Sequence, residues 1–105
     1  MEVKYVPQFL KELKKIKDNE TKLFIWAKIE IIEKSGLYQM QITHDATYIK
    51  NYALYEVRVG KKSRNYRILC AIKNNYCWLL HLFFKKTQQI ELREFKTALS
   101  RKNFI

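Results

Sequence analysis

A chain of 105 residues, 48% hydrophobic and 30% charged, is long enough for one packed domain and excludes both a disordered tail and a two-domain enzyme. With only two glycines it carries neither a phosphate-cradling loop nor a dinucleotide fingerprint, and no apolar run approaches the ~20 residues needed to span a bilayer. The net charge of +11 selects polyanions as partners: nucleic acid, an anionic membrane surface or an acidic protein.

In chain order, Glu2 to Val6 alternates in polarity and reads as a short edge strand, and Pro7 suits a first helical turn. Over 7–17, Phe9, Leu10, Leu13 and Ile16 recur at helical spacing, with Lys11, Lys14, Lys15 and Lys17 on the other side. This charged, amphipathic start does not read as a secretory signal. Asp18-Asn19-Glu20 breaks the pattern. A second helix is expected from about Thr21 to Ser35, with Gly36 as its stop. The two helices read as a hairpin. Residues 37–52 are the least legible, with His44-Asp45 as a possible turn and three tyrosines, Tyr38, Tyr48 and Tyr52.

From residue 53 the period changes to two. Ala53–Val59, Asn65–Lys73 and Tyr76–Phe84 are strand-like, joined by turns at Gly60–Arg64 and Asn74-Asn75, and form a three-stranded antiparallel meander. Gln89–Asn103 returns to helical spacing. The expected class is α+β: one domain over 1–105, with an N-terminal helical hairpin and a C-terminal helix packed on a small antiparallel sheet.

Charge follows this division. Residues 1–52 carry nine lysines, no arginine and seven acids, a net +2; residues 53–105 carry twelve cations against three acids, a net +9. Arginine forks match phosphate geometry, and all five arginines lie in the second half. If the first hairpin has a four-residue loop, Arg58 lies opposite Arg67 and Glu56 opposite Leu69. A two-residue turn at Asn74-Asn75 puts Cys70 opposite Leu79 and Arg67 opposite Leu82, so that Phe84 and Lys86 share the face of Arg67. Arg58, Arg67 and Lys86 then converge beside Glu56. Opposed arginines repel, so a bound phosphate, an acidic partner or Glu56 must compensate; a plain ion pair of Glu56 with Arg58 or Arg67 is the simplest arrangement. A one-residue change of register flips the faces and removes the convergence.

Lys61, Lys62 and Arg64 at the first loop tip read either as a solvated turn or as an RNA-binding clamp on the phosphate backbone. Tyr55 and Tyr66 read as half-buried core, and Cys70 and Cys77 as reduced core cysteines too far apart diagonally to bridge. His81, set among leucines, reads as a satisfied core histidine, and with His44 it makes too few histidines for a histidine-pair nuclease unless the two meet. No metal-ligand spacing is visible, and no cofactor is expected.

Leu54-Tyr-Glu-Val-Arg58, Tyr66-Arg-Ile-Leu69, Leu79-Leu-His-Leu-Phe-Phe-Lys-Lys-Thr-Gln88 and a helix ending Ala98-Leu-Ser-Arg101 together resemble the HigB-type branch of the RelE/ParE toxin superfamily, a branch that includes phage-derived proteins. The resemblance is close over 53–103 and is one of pattern before that. It implies a RelE-like fold and the toxin of a type II toxin–antitoxin pair in the bacterial cytoplasm. It also implies a HigA-like helix-turn-helix antitoxin as partner, and metal-independent endoribonuclease activity on mRNA in the ribosomal A site. In such enzymes the 2′-hydroxyl attacks the adjacent phosphate. Carried over by position, Arg67 holds the scissile phosphate and Arg58 stands where relatives place basic site residues. Lys86 or Lys85 protonates the leaving oxygen, and Glu56 is a possible general base. The chain departs from relatives that stack the base on a tyrosine soon after the last basic residue, since no aromatic follows Lys86 until Phe95. Two rival readings stand beside this one: a ParE-like inhibitor of DNA gyrase, which shares the fold but needs no RNA-cleaving residues, so that Arg58, Arg67 and Lys86 argue against it, and a basic RNA- or antitoxin-binding module without catalysis.

Overall fold

The structure, a computed structural model, describes residues 1–60 and 65–105. The RNA-clamp assignment to Lys61, Lys62 and Arg64 falls outside the described residues. The order of elements is β1 (Glu2–Tyr5), α1 (Pro7–Lys15), α2 (Asn19–Ile42), β2 (Ala46–Ile49), β3 (Leu54–Val59), β4 (Tyr66–Lys73), β5 (Tyr76–Phe84) and α3 (Leu92–Lys102). This is the expected α+β class. The expected N-terminal strand and three-stranded meander are joined by one further strand, so the sheet has five, in the order β1-β5-β4-β3-β2. The meander forms its centre. The N-terminal strand adds parallel to β5, with Val3 opposite Cys77, and β2, from the least legible stretch of the sequence, adds antiparallel to β3.

Each helix has a local cause. Pro7 opens α1, where its missing N–H is not needed. Asp18 caps α2, its carboxylate accepting from the Glu20 N–H and the Thr21 hydroxyl. Helix α2 does not stop at Gly36. It kinks there, where the glycine takes φ 79° and ψ 161°, and a further segment continues to Ile42. Those dihedrals are essentially open to glycine alone. Beyond the kink the chain turns at His44, φ 65°, into β2. Asn74 and Asn75, at φ 54° and 67°, form the two-residue turn between β4 and β5.

The sheet is covered unequally. Helix α2 packs on the side of Val57, Ile68 and Cys70 with its buried Ile25, Ile29, Ile32, Leu37 and Met40. Helix α3 lies on the other side, over Leu69 and His81, with Ala98 fully buried. Helix α1 runs along the edge of β5 where β1 ends. The Val6 N–H donates to the Leu79 carbonyl, and Glu12 accepts from the Leu82 N–H. Cys70 and Cys77 are buried free thiols, on strand positions opposite Leu79 and Ile72. Cys77 beside it and burial push the Cys70 thiol up, so it is an inert core residue.

Candidate functional site

The first hairpin has the expected register: Arg58 faces Arg67 and Glu56 faces Leu69. The second does so only near its turn. Ile72 pairs with Cys77 and Cys70 with Leu79, but a bulge comes next, so Leu69 pairs with His81 and Arg67 with Phe83 instead of Leu82. Leu80 is the extra residue. Its carbonyl accepts from Arg101 Nη1 at 2.9 Å, and the Leu82 N–H donates to Glu12 at 3.0 Å. Side chains from α1 and α3 therefore replace a neighbouring strand at that edge. The inserted residue flips the parity of the rest of β5. Phe84 moves to the opposite face, against Tyr66 at 5.3 Å between ring centroids, and Lys85, not Lys86, shares the parity of Arg67. The backbone ladder still reaches Lys85, whose N–H donates to the Asn65 carbonyl at 2.7 Å.

Arg67 is held by several partners. Its Nε donates to Glu56 at 2.8 Å; Nη1 donates to Asn65 Oδ1 at 2.7 Å and to the Tyr66 carbonyl at 3.0 Å. Each side chain of the Arg67–Glu56 pair is 11% exposed. Among the described residues, no hydrogen bond engages Nη2, which leaves one edge of the fork for a ligand. The Asn65 amide donates to the Lys85 carbonyl at 3.0 Å, so one asparagine ties Arg67 to the backbone of the expected acid. Sequence reasoning missed Asn65 because its role depends on where β5 ends, which the bulge sets.

Arg58 turns away from Arg67. Its two Nη groups donate to the His44 carbonyl and the Thr47 hydroxyl, both at 2.7 Å. The repulsion between opposed arginines is thus met separately, by Glu56 for one and by the β2 turn for the other. The backbones of Arg58 and Arg67 meet as expected; their guanidinium groups diverge. Lys86 lies in the 85–91 loop, exposed, lining a shallow cleft with Phe83, Gln89 and Glu94.

The histidines do not meet. His44 is beside Arg58 at β2, while His81 is on β5, three strands or roughly 14 Å across the sheet. His81 is 6% exposed, and its ring nitrogens each lie 2.8 Å from a carboxylate, Nδ1 from Glu12 and Nε2 from Glu94. Glu12 also takes Arg101 Nη1 at 2.9 Å. Burial pushes the Glu12 carboxyl up, but hydrogen bonds from His81, Arg101 and the Leu82 N–H outweigh it and hold the group below its ordinary value. The satisfied core histidine is as expected, and it sits at the centre of an ionic knot joining α1, β5 and α3. The half-buried tyrosines are also as expected. Tyr55 packs against Tyr48 at 4.8 Å and Tyr52 stacks on Phe95 at 4.6 Å, so Phe95 is occupied by the fold.

Among the described residues, no cluster of His, Cys, Asp and Glu is grouped to hold a metal ion, and no helix is long and apolar enough to cross a membrane. No curated protein matches the chain. Over residues 11–103 its sequence matches the family described as "Phage derived protein Gp49-like", which lies within the RelE/ParE-like toxin superfamily. The match takes in the second half of α1, all of α2, the strands β2 to β5 with their arginines, and α3. The chain therefore belongs to the phage-derived Gp49-like family, a family of toxins from toxin–antitoxin pairs.

Proposed function

We propose that the protein is a metal-independent endoribonuclease that cleaves mRNA on the ribosome, the toxin of a HigB-type pair, neutralised by a HigA-like helix-turn-helix antitoxin with an acidic contact surface. The observation that carries the reading is the Arg67 fork, anchored through Nε and Nη1, with no hydrogen bond at Nη2 among the described residues. A cation held in place before the substrate arrives stabilises the extra negative charge of a pentacoordinate phosphate without reorganising. In this reading Arg67 holds the scissile phosphate, and Glu56 takes the 2′-hydroxyl proton as the 2′-oxygen bonds to phosphorus. Lys85 or Lys86 protonates the 5′-oxygen as its bond to phosphorus breaks. Arg58, engaged by His44 and Thr47, fixes the β2 side of the site and adds a second cation to its field.

The experiment is cleavage of a defined mRNA by the purified full chain, with and without programmed ribosomes, read by primer extension. Cleavage is expected only with ribosomes. Arg67→Ala should lower the rate by about 10²–10³-fold, the usual cost of one transition-state donor. Arg67→Lys, which keeps the charge beside Glu56 but loses the fork, should fold and remain slow. Intact mRNA with ribosomes present would refute the reading, and loss of gyrase supercoiling in the same preparation would replace it.

A further inference from the structure

Resting on the reading of the chain as an RNA-directed toxin, we infer that the groove between α1 and α3 is a second RNA-backbone track that leads into the candidate site at its 85–91 end. Helix α1 advances in step with β5. From Val6 at Leu79 to Glu12 at Leu82 is six helical residues against three strand residues, or roughly 9 Å against roughly 10 Å. Continued by another turn, α1 brings Lys15 alongside the end of β5, where Lys85 and Lys86 leave the sheet. Helix α3 runs back in the opposite sense, from Glu94 beside His81 and Phe83, through Arg101 at the Leu80 carbonyl, to Phe104 and Ile105 beside Trp78, and Gln8 faces its Thr97–Arg101 turn across a groove of about 490 Å³.

The charges of this groove are sorted. Its acids point inward: Glu12 to His81, Arg101 and a backbone N–H, and Glu94 to His81. Apart from Glu91, 40% exposed and paired to Arg93, its exposed charges are then cations. Lys11 and Lys15, four residues apart, lie on the flank of α1 next to Glu12, with Lys96 across the groove and Arg93, paired to Glu91, at its far end. Between them are hydroxyl and amide groups, Gln8, Thr97 and Ser100. A protein partner would favour an apolar centre depleted of charge; among the described residues Phe104, 87% exposed, is the one large apolar side chain in the lining of the groove, while Leu23, Trp26 and Ile31 lie on α2. Spaced lysines with polar groups between them suit a phosphate backbone.

The test measures binding of the full chain to a short 2′-O-methyl oligoribonucleotide, which cannot be cleaved, as a function of KCl concentration. For the pair Lys11→Ala with Lys15→Ala, the slope of log affinity against log salt should become shallower by about 0.7 per lost contact. The charge-matched pair Lys34→Ala with Lys50→Ala, outside the groove, should leave it nearly unchanged. Equal losses in the two pairs, or none in the first, overturn the track. So does a result in which the groove pair weakens binding of polyglutamate but not of RNA, which would assign the groove to an acidic protein. Because no ribosome or cleavage enters this measurement, its failure is separate from failure of the nuclease reading, which rests on the Arg67 experiment.

Discussion

Removing the Glu12 carboxylate should destabilise the domain more than any other single change at its surface. Glu12 lies on an outwardly polar helix, yet it accepts from His81 at 2.8 Å, Arg101 at 2.9 Å and the Leu82 N–H at 3.0 Å. Glu12→Ala leaves the partly buried cation of Arg101 without its carboxylate, and an edge N–H of β5 without an acceptor. Breaking one side of a buried pair costs about 3–5 kcal/mol, and an orphaned backbone donor about 1–3 kcal/mol. Relaxation and water at the edge, where the Glu12 and Arg101 side chains are 19% and 18% exposed, keep the total near the lower figures, about 3–4 kcal/mol. In a domain of this size that lowers Tm by about 12–32 °C, read by circular dichroism on heating. Glu12→Gln keeps the shape and one acceptor oxygen and should recover part of the loss. A loss below about 1 kcal/mol for Glu12→Ala, no more than one ordinary hydrogen bond, would refute the claim that the bulge at Leu80 is held by this carboxylate. The same group sets an acid limb. Its native value lies below the ordinary carboxylate value of 4.5, so the unfolded chain binds its proton first as pH falls. The stabilisation is complete above that value and is lost as pH drops through the native value. Glu12→Gln should flatten that part of the stability profile.

Gly36→Ala meets no atom within 4 Å of its new Cβ, so any loss measures backbone strain alone. About 1–3 kcal/mol is expected in a urea melt, because φ 79° with ψ 161° is closed to other residues. Asn65→Ala should lower kcat for ribosome-dependent cleavage by about tenfold or more with little change in KM, since it loosens the Arg67 fork without removing a charge; Asn65→Asp, which keeps the acceptor oxygen facing Nη1, should restore much of it.

The second half of the fold is legible in the sequence because its strands alternate cleanly and Asn74-Asn75 marks its turn. Periodicity alone also finds α1, α3 and the position of the α2 break. It misreads the segment beyond Gly36, because a glycine that ends one helical segment looks the same when another segment begins after it. It leaves β2 unread, since the four residues Ala46–Ile49 become a strand only through pairing with β3. Local sequence makes the opposition of Arg58 and Arg67 conditional on hairpin register, and the pairing of β3 with β4 meets that condition. Tertiary structure decided the rest of the site. The bulge at Leu80 is stabilised by Glu12, which lies 70 positions before Leu82, and by Arg101, 21 positions after Leu80; no local pattern encodes such partners. That one insertion exchanges Lys86 for Lys85 on the face of Arg67 and brings Asn65 to both. Side-chain partners then turn the two arginines apart. The amount of positive charge was set by composition; the direction in which each cation points was set by whichever acceptor the fold placed beside it.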